Sequence, residues 1–111
     1  MPLSPLFRAT CGSVMGRSYL IALHSHPPFM ELVICDGKIL VNYWKMYNKM
    51  TFKVSDIEYV SELHTWGRHG ILIHHTVDKY SKYVYLFFAK NGELDAAKKA
   101  LTSIGVEVRT P

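Results

Sequence analysis

The chain has 111 residues, of which 49% are hydrophobic and 13% aromatic, and its net charge is +4. That is the size of one domain, with enough apolar and aromatic side chains to build a core, which excludes a disordered chain. The mild positive balance admits an anionic partner without demanding one. No apolar run approaches the ~20 residues that span a bilayer, so the chain is not expected to be transmembrane. The opening MPLSPLFR has no basic segment followed by a sustained apolar run, so no secretory signal is expected and the chain reads as cytoplasmic. Cys11 and Cys35 are expected as buried free thiols, since a free cysteine behaves as a small hydrophobe.

Residues 1–6, with two prolines and a serine, read as an extended lead-in, and residues 7–15 carry no clear pattern. Residues 17–23 (RSYLIAL) predict a strand. His24-Ser25-His26-Pro27-Pro28 interrupts it as a bend, an edge or a loop, because proline cannot donate to a ladder. Residues 29–35 (FMELVIC) and 38–44 (KILVNYW) predict two strands joined by Asp36-Gly37, the strongest short hairpin signal. After a loop over 45–49, residues 50–54 (MTFKV) alternate, with Met50, Phe52 and Val54 on one face. Ser55-Asp56 marks a break, and residues 57–66 resume as strand. Gly67-Arg68-His69-Gly70 reads as a turn, residues 71–77 (ILIHHTV) as a strand, 78–81 as a turn and 82–89 (KYVYLFFA) as the last long strand.

The one helix is expected over residues 91–105. Asn91 suits the N-cap, Glu93 the positive end of the macrodipole, and Gly105 the left-handed C′ position. Lys98 and Lys99 lie further along, toward the negative end. Leu94, Ala97, Leu101 and Ile104 form its apolar stripe. Residues 106–108 predict a short terminal strand. Together these elements make a mainly β (α+β) single domain over residues 1–111: about seven antiparallel strands in a barrel or half-barrel, with one helix covering an opening.

The stretch from Met50 to Val108 resembles a bacterial pleckstrin-homology-like domain of the PH/GRAM superfamily. The resemblance rests on several features: the Ser55-Asp56-Ile57 step after a strand, the strand led by Gly70, the aromatic strand Tyr83-Val84-Tyr85-Leu86-Phe87-Phe88, and the helix closing on Gly105-Val106-Glu107-Val108. The Asp36-Gly37 hairpin fits the same plan. The resemblance implies two near-orthogonal antiparallel sheets capped by the C-terminal helix. It leaves function open among lipid, peptide and protein binding.

No motif for catalysis or for a cofactor stands out. There is no GxSxG, Walker A or GxGxxG, so the chain is expected to be non-catalytic and without cofactor. Of the six histidines, His24 and His26 would share one face of a strand, whereas His74 and His75 would point to opposite faces and cannot chelate together. No spacing gathers the three or four ligands of a metal site, so none is expected.

Two surfaces are candidates for binding. Lys45, Lys49 and Lys53, interleaved with Trp44, Tyr47 and Phe52, form a basic aromatic stretch suited to an anionic membrane surface, with Arg68 and His69 as additional members. Tyr83, Tyr85 and Phe87 lie opposite Val84, Leu86 and Phe88. If the latter three face the core, the tyrosine row is on the outside and, with Trp66, offers a surface for a protein partner or for self-association. Sheet edges offer another. Nucleic acid is not an expected partner, since the charge is modest and no such module fits. The expected function is therefore a binding module for protein or self-assembly, with peripheral binding of anionic lipid as the alternative.

Overall fold

The structure, a computed structural model, describes residues 6–16, 22–43, 49–65, 67–90 and 92–110, and for residues 22–29, 43 and 49 the backbone alone. Eight strands form one continuous curled sheet: β1 (Phe7–Gly16), β2 (Ala22–Cys35), β3 (Lys38–Tyr43), β4 (Lys49–Lys53), β5 (Ile57–Thr65), β6 (Arg68–His75), β7 (Tyr83–Phe88) and β8 (Val108–Arg109). Their spatial order is β4-β3-β2-β1-β7-β6-β5-β8. Among the described residues one α-helix, α1 (Glu93–Ser103), packs against the sheet, and a single 3-10 turn, Val54–Asp56, joins β4 to β5. The mainly β half-barrel with one C-terminal helix is as expected. The strand count is eight, and the two expected sheets are one sheet bent through β1 and β2.

The bend has a local cause. The β1–β2 ladder is regular from Phe7↔Ile34 to Cys11↔Met30, then resumes at Ser13↔Ser25. Two steps along β1 thus match five along β2, and the surplus falls at Pro27-Pro28. The prolines sit where the ladder is interrupted, as their missing N–H requires. The stretch expected to be featureless, residues 7–15, is the pivot strand: it pairs with β2 throughout and with β7 from Gly12↔Phe87 to Gly16↔Tyr83. The strand expected at 17–23 falls mostly outside the described residues.

Asp36-Gly37 makes the predicted tight turn, with Gly37 at φ 84° and Cys35 paired to Lys38. The predicted turn over residues 67–70 is shorter than expected. Thr65 pairs with Arg68, Gly67 takes φ 75°, and Gly70 lies inside β6. There a Cβ would stand 2.0 Å from the Leu86 carbonyl oxygen, so glycine is demanded by the approach of β7, not by a turn. The terminal strand β8 pairs with β5 in parallel, not antiparallel, at Val60↔Val108 and Ser61↔Arg109.

The concave face holds the main core. Met30, Leu32 and Ile34 of β2, Ile39 and Val41 of β3, Phe52 of β4, Val60 of β5, Ile71 and Ile73 of β6, and Val84 and Leu86 of β7 are all buried, as the alternation predicted. Helix α1 closes this face with Ala97, Ala100 and Leu101. Its start is not capped as expected: Gly92, at φ 87°, is the N-cap, and Asn91 lies outside the described residues. Its end matches the expected left-handed cap. Gly105 takes φ 95°, its N–H donates to Thr102 O (3.1 Å), and the Val106 N–H donates to Leu101 O (3.0 Å). Lys98 anchors the helix to the sheet through an ion pair with Glu62 of β5. Cys11 and Cys35 are buried and unbridged, and burial pushes the Cys11 thiol up to about 12.

Candidate functional site

The two ends of the half-barrel differ. At one end β5 turns into β6, β7 finishes at Phe88 and α1 begins. At the other, β1 ends at Gly16, β2 begins at Ala22 opposite it, and β7 begins at Tyr83, also paired with Gly16. This second end is the mouth. The β6–β7 connection, residues 76–82, crosses it. Tyr80 in that connection ties the mouth together. Its hydroxyl accepts the Thr51 N–H of β4 (3.1 Å), and its ring lies edge-on to Phe52 of β4 (5.2 Å) and to His75 of β6 (6.4 Å). It also lines a hollow with Gly16, Ser81 and Lys82.

The connection is held down by His75. Its Nε2 bonds the Ser81 carbonyl (2.8 Å), so that nitrogen carries the proton, and Nδ1 accepts the Val77 N–H (3.1 Å). The Thr76 N–H donates to Asp56 O (2.9 Å). Asp78, Lys79 and Lys82 remain exposed, with the Lys79 ammonium 5.2 Å from the Tyr80 ring centre. Lys82 also borders a second hollow, with Glu58, His74, His75 and Asp78.

Charge is partitioned between this end and the rest of the chain. Arg17 lies in the β1–β2 connection, Lys45 between β3 and β4, Lys49 at the first position of β4, and Lys79 and Lys82 in the β6–β7 connection. Those three connections and Lys49 carry five of the 13 basic residues and one of the nine acidic ones, Asp78. Elsewhere the remaining eight basic and eight acidic residues cancel. By sequence, then, the net charge of +4 resides in those three connections and Lys49; of these basic side chains the structure describes Lys79 and Lys82, in the connection that crosses the mouth.

The residues singled out from sequence distribute as follows. Lys45 and Trp66 lie outside the described residues, as does the side chain of Lys49. Lys53 is exposed but sits opposite Lys38 beside the Asp36-Gly37 turn, a strand length (roughly 13 Å) from Lys49. Arg68 begins β6 at the helix-capped end, so it does not join the lysines; its guanidinium lies 4.5 Å from the centre of the Phe87 ring. Periodicity alone missed Lys79 and Lys82, because the pairing of Gly16 with Tyr83 is what sets their connection at the mouth. The signal within reach was the basic, turn-forming run Asp78-Lys79-Tyr80-Ser81-Lys82.

The aromatic row needs a correction. Tyr83, Tyr85 and Phe87 do lie on the face opposite the main core, but Tyr85 is 0% and Phe87 7% exposed. With Val14, Leu63 and Leu72 they form a second, smaller apolar cluster. The Tyr85 hydroxyl reaches across β6 to donate to Leu63 O of β5 (2.8 Å), so the side chain lies flat on the sheet over the strand that carries Gly70. Flat packing over a strand with a missing side chain, with Arg68 over Phe87, explains why this outer row is buried.

The histidines separate as their spacing required where it spoke. His74 stacks on Tyr59 (4.0 Å between ring centres) and bonds Ser61 Oγ (3.0 Å), and burial holds it below the ordinary histidine range. His75 turns the other way, toward Phe52. The side chains of His24 and His26 lie outside the description. A different pair comes together, His64 of β5 and His69 of β6, with their Nδ1 atoms 2.6 Å apart. Among the described residues no group of three or more His, Cys, Asp or Glu is arranged to hold a metal ion.

No family model matches the chain, and no curated protein matches it by sequence. Its fold is similar to that of a solved structure, the hSac2 domain from the human phosphoinositide phosphatase Sac2, a PH-like fold. The two share a TM-score of 0.52 and 11% identity over 94% of this chain and 76% of that one. At this identity the likeness is one of fold. The narrower assignment to a bacterial PH/GRAM family has no matching family model behind it. No described helix is long and apolar enough to cross a membrane.

Proposed function

We propose that the protein is a non-catalytic binding module that meets an anionic membrane surface with the mouth of its half-barrel. The observation behind this reading is the exposed pair Lys79 and Lys82 in the connection that crosses the mouth, with a sequence in which the entire excess of +4 lies in that connection, in the β1–β2 and β3–β4 connections and in Lys49. Each lysine near an anionic surface contributes about 1 kcal/mol. The acting residues are Lys79 and Lys82, with Arg17, Lys45 and Lys49 in the adjoining segments. The likeness of fold to a domain of a phosphoinositide phosphatase is compatible with this reading.

A second reading, protein interaction through a sheet edge, rests on a different observation. The β4 edge is blunted, because the Thr51 and Lys53 N–H groups are taken by Tyr80 and by the Asp56 carboxylate (3.0 Å). On the other side, β8 covers Val60 and Ser61 only, leaving Glu62 to Thr65 of β5 without a ladder partner on that edge among the described residues.

Flotation with anionic and neutral vesicles, at low and high salt, separates the two readings. The membrane reading expects association with anionic vesicles alone, lost at high salt. The Lys79→Glu/Lys82→Glu double variant should weaken it by about 2 kcal/mol or more, and Lys53→Glu, at the far end of its strand, should act much less. Equal loss from Lys53→Glu would remove the mouth from the reading. No flotation under any condition would leave the sheet edge in front.

A further inference from the structure

Away from the mouth, at the helix-capped end, five ionisable side chains form a chain of contacts. Lys98 of α1 pairs with Asp95 (3.5 Å) and with Glu62 Oε1; Glu62 Oε2 bonds His64 Nε2 (2.7 Å); and His64 Nδ1 faces His69 Nδ1 at 2.6 Å. The two rings are tilted by 59°, with centres 4.8 Å apart. They share a hollow with Asp95, Lys90 and Leu94.

The Glu62 carboxylate lies between the Lys98 ammonium and His64 Nε2 and accepts from both. His64 Nε2 must then be the nitrogen that carries hydrogen, which leaves Nδ1 with a free lone pair directed at His69. A histidine whose far nitrogen is held by a carboxylate, itself held by a lysine, is the outer-shell arrangement that orients imidazole metal ligands.

We propose that His64 and His69 form a two-imidazole clip for a borderline divalent transition metal, Zn²⁺, Cu²⁺ or Ni²⁺, with Glu62 as the residue that positions His64. The ion would be bound by both Nδ1 atoms, and water would fill the remaining positions, since no third protein ligand converges among the described residues. Imidazole selects these ions over Mg²⁺ and Ca²⁺, which favour oxygen. Metal–nitrogen distances of about 2.0–2.1 Å place two ligating nitrogens roughly 3 Å apart. From 2.6 Å the nitrogens need to part by roughly 0.3 Å for a right-angled pair of ligands and roughly 0.8 Å for a tetrahedral one, and the His64 side chain is 39% exposed.

Calorimetric titration of the untagged chain with ZnCl2 and with CuCl2, in a non-chelating buffer near neutral pH, tests this directly. One ion per chain should bind. His69→Ala should weaken binding at least tenfold, Glu62→Gln about tenfold through His64 orientation, and His74→Ala should leave it unchanged. Because Glu62→Gln also loosens the helix contact, ring-proton NMR of the unaltered chain provides a second measurement, in which Cu²⁺ should broaden His64 and His69 before any other histidine. Absence of saturable binding, affinity that His69→Ala does not change, or broadening centred on other histidines would each overturn the clip.

Discussion

The helix-capped end and the mouth of the same half-barrel solve opposite problems. At the capped end, charges are consumed internally: Lys98 is matched by Glu62 and Asp95, and Glu62 also bonds His64. At the mouth, the backbone of the β6–β7 connection is tied down by His75 and Tyr80 while its lysines stay exposed. A basic patch exerts its pull only if no acid neutralises it and only if its scaffold holds still. The mouth holds its scaffold with backbone and aromatic contacts, and its two exposed lysines outnumber the one acid of the connection, Asp78. The capped end spends its charges on stability.

That contrast can be broken most forcefully in the core beneath each end. Gly70→Ala puts a methyl into the β7 backbone and should cost about 3 kcal/mol, read as a lower denaturant midpoint. Leu101→Ala, at the buried heart of the helix contact, should cost a similar 2–5 kcal/mol, about 3 in the middle of that range. Equal stability in the Leu101 variant would mean that the helix is not integral to the fold. Tyr85→Phe removes one partly buried hydrogen bond and should cost about 1 kcal/mol. The Lys79→Glu/Lys82→Glu double variant should shift stability by no more than about 0.5 kcal/mol while weakening vesicle binding by about 2 kcal/mol or more. A large loss of stability there would show that the mouth lysines serve the fold.

Acid sharpens the same contrast. Glu62 binds its proton less readily folded than unfolded, so its contribution is complete above its ordinary value of 4.5 and is lost as the pH falls through the lower folded value. His74 acts in the same direction at higher pH: burial disfavours its cation, so stability begins to fall as the pH drops below the ordinary value of 6.5. Thermal melts against pH should therefore show two descents. Glu62→Gln should remove the lower and His74→Phe the upper, and a profile unchanged by either would refute the assignment.

Much of the architecture was legible because alternation and turn chemistry are local. Met30, Leu32 and Ile34 declared their inward face, Asp36-Gly37 its turn, Leu101 and Gly105 the helix and its end. The Pro27-Pro28 interruption was legible as a bend, although the strand continues past it. The errors came where two distant segments meet. Gly70 looked like a turn because the carbonyl that crowds it belongs to Leu86. Tyr85 looked exposed because its cover comes from neighbouring strands. Lys53 and Arg68 were grouped with Lys49 from sequence alone, yet Lys53 ends β4 beside the Asp36-Gly37 turn and Arg68 opens β6 at the helix-capped end.

By itself, then, the order of side chains determined which residues face inward, where the hairpins turn and that the chain carries an excess of four positive charges. Only the tertiary structure decided that Lys79 and Lys82 cross the mouth, that the outer tyrosine is a packing residue, and that His64 meets His69 beside a carboxylate. The reason is physical: alternation and capping are set by a residue's own backbone and near neighbours, whereas charge clustering, close backbone approach and side-chain relays depend on strand register across the sheet.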